Sequence, residues 1–223
     1  MINKLPQWIK HSAFILALVA GCINAIGLLG FEHQSVSHVS GTVTLVGTTW
    51  VNGSTHASLQ LLGILISFLL GASLSGFIVH SSTLKIGRNY DVCLVAESIL
   101  IFIAYFLLTN HSFYGLFAAT AACGVQNALA TSYSGAIIRS THLTGIFTDL
   151  GLMLGSALKG KPFDKGKAKL FIFIILGFVL GGTLGTYLFA YFEFSALLFP
   201  AVICLLLAAI YHFTIKHTVN AKV

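Results

Sequence analysis

Six apolar stretches, at 12–31, 58–80, 92–109, 112–133, 169–191 and 195–214, are each long enough to cross a bilayer, which takes a helix of about 20 residues. Hydrocarbon offers the backbone no hydrogen-bond partner, so runs of this length must fold as helices that satisfy their own peptide groups. Charge supports the same reading. Charged residues make up 8% of the chain, against about 25% in soluble domains, too few to cover a water-facing surface. The chain therefore reads as an all-α, polytopic helical membrane protein. It forms a single transmembrane domain over 1–223, with membrane lipid as a partner and no soluble domain attached.

A second constraint is a motif written twice. His38-Val39-Ser40-Gly41-Thr42-Val43-Thr44-Leu45-Val46-Gly47 returns as His142-Leu143-Thr144-Gly145-Ile146-Phe147-Thr148-Asp149-Leu150-Gly151. Each copy follows a shared element, Gly21-Cys22-Ile23-Asn24-Ala25 and Gly124-Val125-Gln126-Asn127-Ala128. From Gly21 to Gly124 is 103 positions, and from Gly41 to Gly145 is 104. Gly71-Ala72-Ser73-Leu74-Ser75-Gly76 and Gly181-Gly182-Thr183-Leu184-Gly185 extend the duplication, now 110 positions apart. The repeats are about 12–109 and 112–214. A membrane chain duplicated in this way usually builds one site where its copies meet.

The motif segments 39–53 and 141–158 can be read in two ways. If they only dip into the membrane, there are six crossings plus two re-entrant segments, and the repeats run in opposite directions. If they cross, there are eight, and the chain is a parallel 4+4 repeat. Six crossings with both termini inside put all 12 Lys and Arg on the cytoplasmic side; eight move Lys85, Arg88 and Arg139 outside. Cytoplasmic loops carry the excess of basic residues, which favours six. The Ser, Thr, Gly, His and Asn of 36–54, and Asp149 in the second copy, agree with backbone that lines a cavity rather than faces lipid.

The residues expected near a pathway follow from the duplication. Asn24, Gln126 and Asn127 carry amides inside the first and fourth crossings, where each needs a partner or a ligand. His38 and His142 occupy matching positions, where imidazoles can bind solute, relay protons or mark an interface. Gly41 and Thr44, with Gly145 and Thr148, form strips of small residues that let helices approach closely. Asp149 is the acid of the second motif and has no counterpart at Leu45. Glu97, about two turns into the third crossing, has a pairing partner available in Lys85 or Arg88. Trp8, Trp50 and Tyr90 read as interfacial aromatics.

Several functions are disfavoured. The net charge of +6 sits in loops and termini that orient helices, so no nucleic-acid partner is expected. Cys22, Cys93, Cys123 and Cys204 lie in apolar segments without metal-ligand spacing and read as small buried hydrophobes. The 159–167 run fails as a phosphate loop, because five residues rather than four separate its glycines and Ala168 stands where Ser or Thr is required. No catalytic constellation, metal site or cofactor motif is present, which makes an intramembrane enzyme the weakest reading.

At Gly21…Asn24-Ala25, Ser40-Gly41-Thr42, Gly124-Val125-Gln126-Asn127-Ala128 and Thr144-Gly145 the chain resembles the YoaK-like family of bacterial multi-pass membrane proteins, whose function is uncharacterised. The resemblance spans nearly the whole chain and implies a bacterial inner (cytoplasmic) membrane location, but no substrate. Asn24-Ala25 stands where relatives commonly have Asp-Ala, which removes an acid from the first helix. The expected function is a transporter or channel for a small molecule or ion, with its site between the two repeats. The alternative is a non-transporting membrane scaffold or assembly factor. An oligomer is compatible with either.

Overall fold

The computed structural model describes residues 7–30, 36–79, 89–134 and 141–215, and every element among them is helical. In chain order these are α1 (Gln7–Leu29), α2 (Val39–Val51), α3 (Thr55–Val79), α4 (Tyr90–Thr109), α5 (Tyr114–Ser134), α6 (Leu143–Leu158), α7 (Lys165–Phe192) and α8 (Leu198–Ile210). A 3-10 turn, Glu193–Leu197, separates α7 from α8, and a π-helical turn, Tyr211–Ile215, follows α8.

Four helical stretches are long and apolar enough to cross a membrane: Lys10–Leu29, Thr55–Val79, Tyr90–Thr109 and Lys165–Phe213. The last is 49 residues, more than twice the roughly 20 that one crossing needs. It breaks at Glu193, whose φ of 48° no α-helix accommodates. At 21 residues α5 has the length of a span, but Thr120, Gln126, Asn127 and Thr131 dilute its apolar character. With only 13 and 16 residues, α2 and α6 fall short of a full crossing.

Two buried clusters fix the helix directions. One joins Ile26 of α1, Leu108 of α4, Leu116 of α5 and Leu197. The other joins Leu16 of α1, Leu94 of α4, Leu129 of α5 and Ala208 of α8. From the second cluster to the first, residue numbers rise along α1 and α4 and fall along α5 and α8. Thus α1 runs antiparallel to α5, and α4 antiparallel to α8. The Ser98 hydroxyl donating to the Ala201 carbonyl at 2.9 Å, and His212 meeting Asp91 at 2.6 Å, hold the α4–α8 pair in that sense.

Glycine sets the tightest packing, because a residue without Cβ lets two backbones touch. Along α7, Gly177 and Gly185 face the carbonyls of Phe14 and Cys22, where an added Cβ would lie 2.5 and 2.6 Å from oxygen. Both residue numbers rise together, so α1 and α7 are parallel. The closest contacts occur twice over. Gly21 meets the Phe178 carbonyl and Gly181 the Leu18 carbonyl; Gly124 meets the Phe68 carbonyl and Gly71 the Ala121 carbonyl. The α1 positions map onto α5 with one offset, and the α3 positions onto α7 with another. Helix α1 therefore grips α7 as α5 grips α3.

The motif helices leave this frame as short hairpins. After α1 the chain is back beside it by Ser37, whose N–H and hydroxyl donate to the Asn24 Oδ1 at 3.3 and 2.8 Å. Then α2 lies along α3, with the Thr49 and Ser58 hydroxyls 2.9 Å apart. Gly53, at φ 77°, makes the turn between them. Helix α6 reaches the bundle through Ile146, which joins the cluster of Ala13, Ala17, Ala130 and Phe171. Gly160 turns the chain toward α7 at φ 79°.

Candidate functional site

The two motif histidines occupy the same structural position. His38 precedes the first turn of α2 at φ −95°, ψ 72°, and His142 precedes α6 at φ −91°, ψ 59°. Neither side chain caps its helix, and both residues are exposed. Gly145 leaves room for the His142 ring to fold over the first turn of α6, since a Cβ there would stand 2.5 Å from Nδ1. At Gly41 the corresponding space is open, with only the His38 Cβ at 3.9 Å.

The motif hydroxyls satisfy themselves. Thr44 donates to the Ser40 carbonyl at 3.1 Å, and Thr148 donates to the Thr144 carbonyl at 2.9 Å. Both threonines are exposed on their helices, and this local bonding lets such a face meet lipid without an unpaired donor. Asp149 forms an ion pair with Lys167 at 3.0 Å, with both side chains partly exposed. A pair of this kind contributes about 0–1 kcal/mol. Asp149→Asn should therefore shift unfolding in detergent by no more than about 1 kcal/mol. Thermal melts check this, and a larger loss would give Asp149 a structural role that this geometry lacks.

Polar groups within the bundle are in a different state. Gln126 is fully buried; its Nε2 donates to the Leu16 carbonyl of α1, while its Oε1 has no hydrogen-bond partner. One residue on, Asn127 Oδ1 also lacks a partner, as does the buried Thr120 hydroxyl two turns earlier on α5. Asn24 accepts from Ser37 and ties the entry of α2 to α1.

The most isolated group is Glu97. It is 0% exposed on α4, and neither carboxyl oxygen has an oxygen or nitrogen hydrogen-bond partner among the described residues. It lies seven residues into the helix, about 10 Å along the axis. The Cys204 thiol of α8 is the polar group beside it, and Cys123 of α5 is a further neighbour. Lys85 and Arg88, the expected ion-pair partners, lie outside the described residues. All four cysteines are free and buried, and no group among the described residues is arranged to hold a metal ion.

The site residues expected from sequence thus fall into three places. Asn24, Gln126 and Asn127 belong to the α1–α5 side of the bundle. His38, Gly41 and Thr44 sit on α2, and His142, Gly145, Thr148 and Asp149 on α6. Helices α2 and α6 do not pack along one another among the described residues. Thr120, a hydroxyl in the apolar 112–133 run, is not among the residues expected from sequence. Glu97 is an acid within an apolar stretch, which is itself a functional signal. Tyr90, the first residue of α4, is buried within the protein, with its ring 4.9 Å from that of Tyr211. The Trp8 side chain lies outside the described residues, and Trp50 is exposed near the end of α2.

The sequence model of the family described as "Protein of unknown function (DUF1275)" matches residues 12–210, and the chain belongs to that family. No curated protein and no solved structure matches it.

Proposed function

We propose that this protein carries a small polar solute across the bacterial inner membrane, as a carrier or channel, with Glu97 exchanging a proton at its polar centre. The observation that carries the reading is Glu97 itself, a carboxyl buried completely, with no cation, oxygen or nitrogen partner among the described residues and only the weakly bonding Cys204 thiol beside it. An acid at membrane depth costs several kcal/mol if charged, and such residues mark ion and proton pathways. The acceptors of Gln126 and Asn127 and the Thr120 hydroxyl supply further unfilled bonding capacity on α5, the helix that also brings Cys123 near Glu97. A solute with several donors would satisfy these oxygens, and a proton on Glu97 would alternate with it.

The architecture that suits this function is two halves of opposite direction, with six crossings and two half-length hairpins. The antiparallel course of α1 and α5 supports it, as do the twin glycine contacts and the shortness of α2 and α6. In this arrangement α1, α4 and α7 rise from the cytoplasmic side, and α3, α5 and α8 return to it. Opposed halves allow alternating access by rocking one against the other around a fixed centre.

The test is flux. Purified protein in liposomes, screened against small polar metabolites and ions, should move at least one of them faster under an imposed pH gradient than without it. Asp149→Asn should retain that flux, because its ion pair lies at the exposed start of α7. Absence of flux across the screen, together with stable capture of a membrane partner, would replace this reading with a scaffold.

A further inference from the structure

Helices α1 and α7 start side by side, and between their first turns opens a cavity of about 700 Å³, a size typical of small-ligand pockets. Its lining divides sharply by chemistry. Lys10 and Lys169 supply its cationic character, His11 adds an imidazole, and Phe14, Leu170 and Phe173 are prominent in its apolar wall. No carboxylate lines it among the described residues. The two nearby acids on this flank are engaged: Asp149 pairs with Lys167 at 3.0 Å, and Asp164 accepts from the Lys167 N–H at 3.0 Å as the cap of α7. Neither Lys10 nor Lys169 has a carboxylate partner among the described residues.

The wall is ordered by its own contacts. Phe14 and Phe173 meet edge to face at 6.4 Å, and the Lys169 ammonium stands 5.7 Å from the Phe173 ring centre. Cations therefore sit at the helix starts, with aromatic and aliphatic surface deeper along the same two helices. That is the profile of an amphiphile whose anionic head meets water and whose tail enters the bilayer. Basic pockets between membrane helices at the cytoplasmic surface take anionic lipid headgroups by this chemistry.

We propose that this pocket holds one anionic phospholipid, its phosphate between Lys10 and Lys169 and the upper part of an acyl chain against Phe14, Leu170 and Phe173. The site joins α1 to α7, so an occupant would brace the helix pair that the glycines bring into contact. It does not depend on whether the protein transports anything.

Native mass spectrometry and thermal melts of the whole protein, titrated with phosphatidylglycerol, phosphatidylcholine or inorganic phosphate, test it. Wild type should retain phosphatidylglycerol about 10- to 30-fold better than phosphatidylcholine, an advantage of two lysines near a headgroup. K10Q/K169Q should lose that preference, whereas K159Q/K161Q, which alters the neighbouring basic loop, should keep it. Phe173→Ala should weaken retention of both lipids. The proposal is overturned if K10Q/K169Q keeps the preference, if K159Q/K161Q loses it equally, or if inorganic phosphate raises the melting temperature as much as the lipid does.

Discussion

Glu97→Gln is expected to fold as wild type does and to lose the proton dependence of solute flux. The amide has nearly the same shape, no cation pairs with Glu97 among the described residues, and the Cys204 thiol beside it can hydrogen-bond an amide oxygen as it does a carboxyl. Stability should stay within about 1 kcal/mol, the net value of a single ordinary hydrogen bond. Coupling between two ligands commonly amounts to 1–3 kcal/mol, so flux driven by a pH gradient should fall about 5- to 150-fold. Any residual flux should be flat across pH. Unchanged proton dependence in a well-folded Glu97→Gln protein would remove Glu97 from the mechanism and leave only an expensive buried acid.

Gly181→Leu should be the most damaging single substitution in the frame. A Cβ at this position would fall on the Leu18 carbonyl, a backbone atom that cannot rotate away. Overpacked cores lose about 1–3 kcal/mol and occasionally more, and a clash with backbone belongs at or above the upper end. Gly71→Leu should behave alike, since it meets the Ala121 carbonyl in the equivalent place. Gly151 in the second motif makes an informative contrast, with nothing within 4 Å of an added Cβ. Gly151→Ala should be neutral or stabilise α6 by about 0.5–1 kcal/mol, the ordinary gain for replacing a mid-helix glycine. Melting of the three variants in one detergent gives the comparison; equal effects would contradict the assigned packing.

Much of the frame was legible because lipid leaves so few options. The apolar runs at 169–191 and 195–214 anticipated the break at Glu193, and the polar density of 36–54 falls on a helix of 13 residues. The glycines at 71 and 181 were visible as counterparts. What they grip was not: a stripe of small residues specifies a face, while the choice of α1 with α7 over α1 with α3 depends on the tertiary arrangement. The candidate site was less legible for a similar reason. Residue type cannot show that Thr44 and Thr148 spend their hydroxyls on their own helices, whereas Gln126 and Asn127 keep unfilled acceptors. Duplication drew attention to paired residues, and Glu97 has no pair. A group unique to one half is what a repeat search passes over.

The two opposed halves around Glu97 are tested most directly by the sidedness of their connecting loops. Arg88→Cys and Arg139→Cys, labelled with a membrane-impermeant maleimide in right-side-out and inverted vesicles, should both react only from the cytoplasmic face. Labelling of either position from outside would make the motif segments full crossings and the halves parallel, and the proposed alternating centre would go with them.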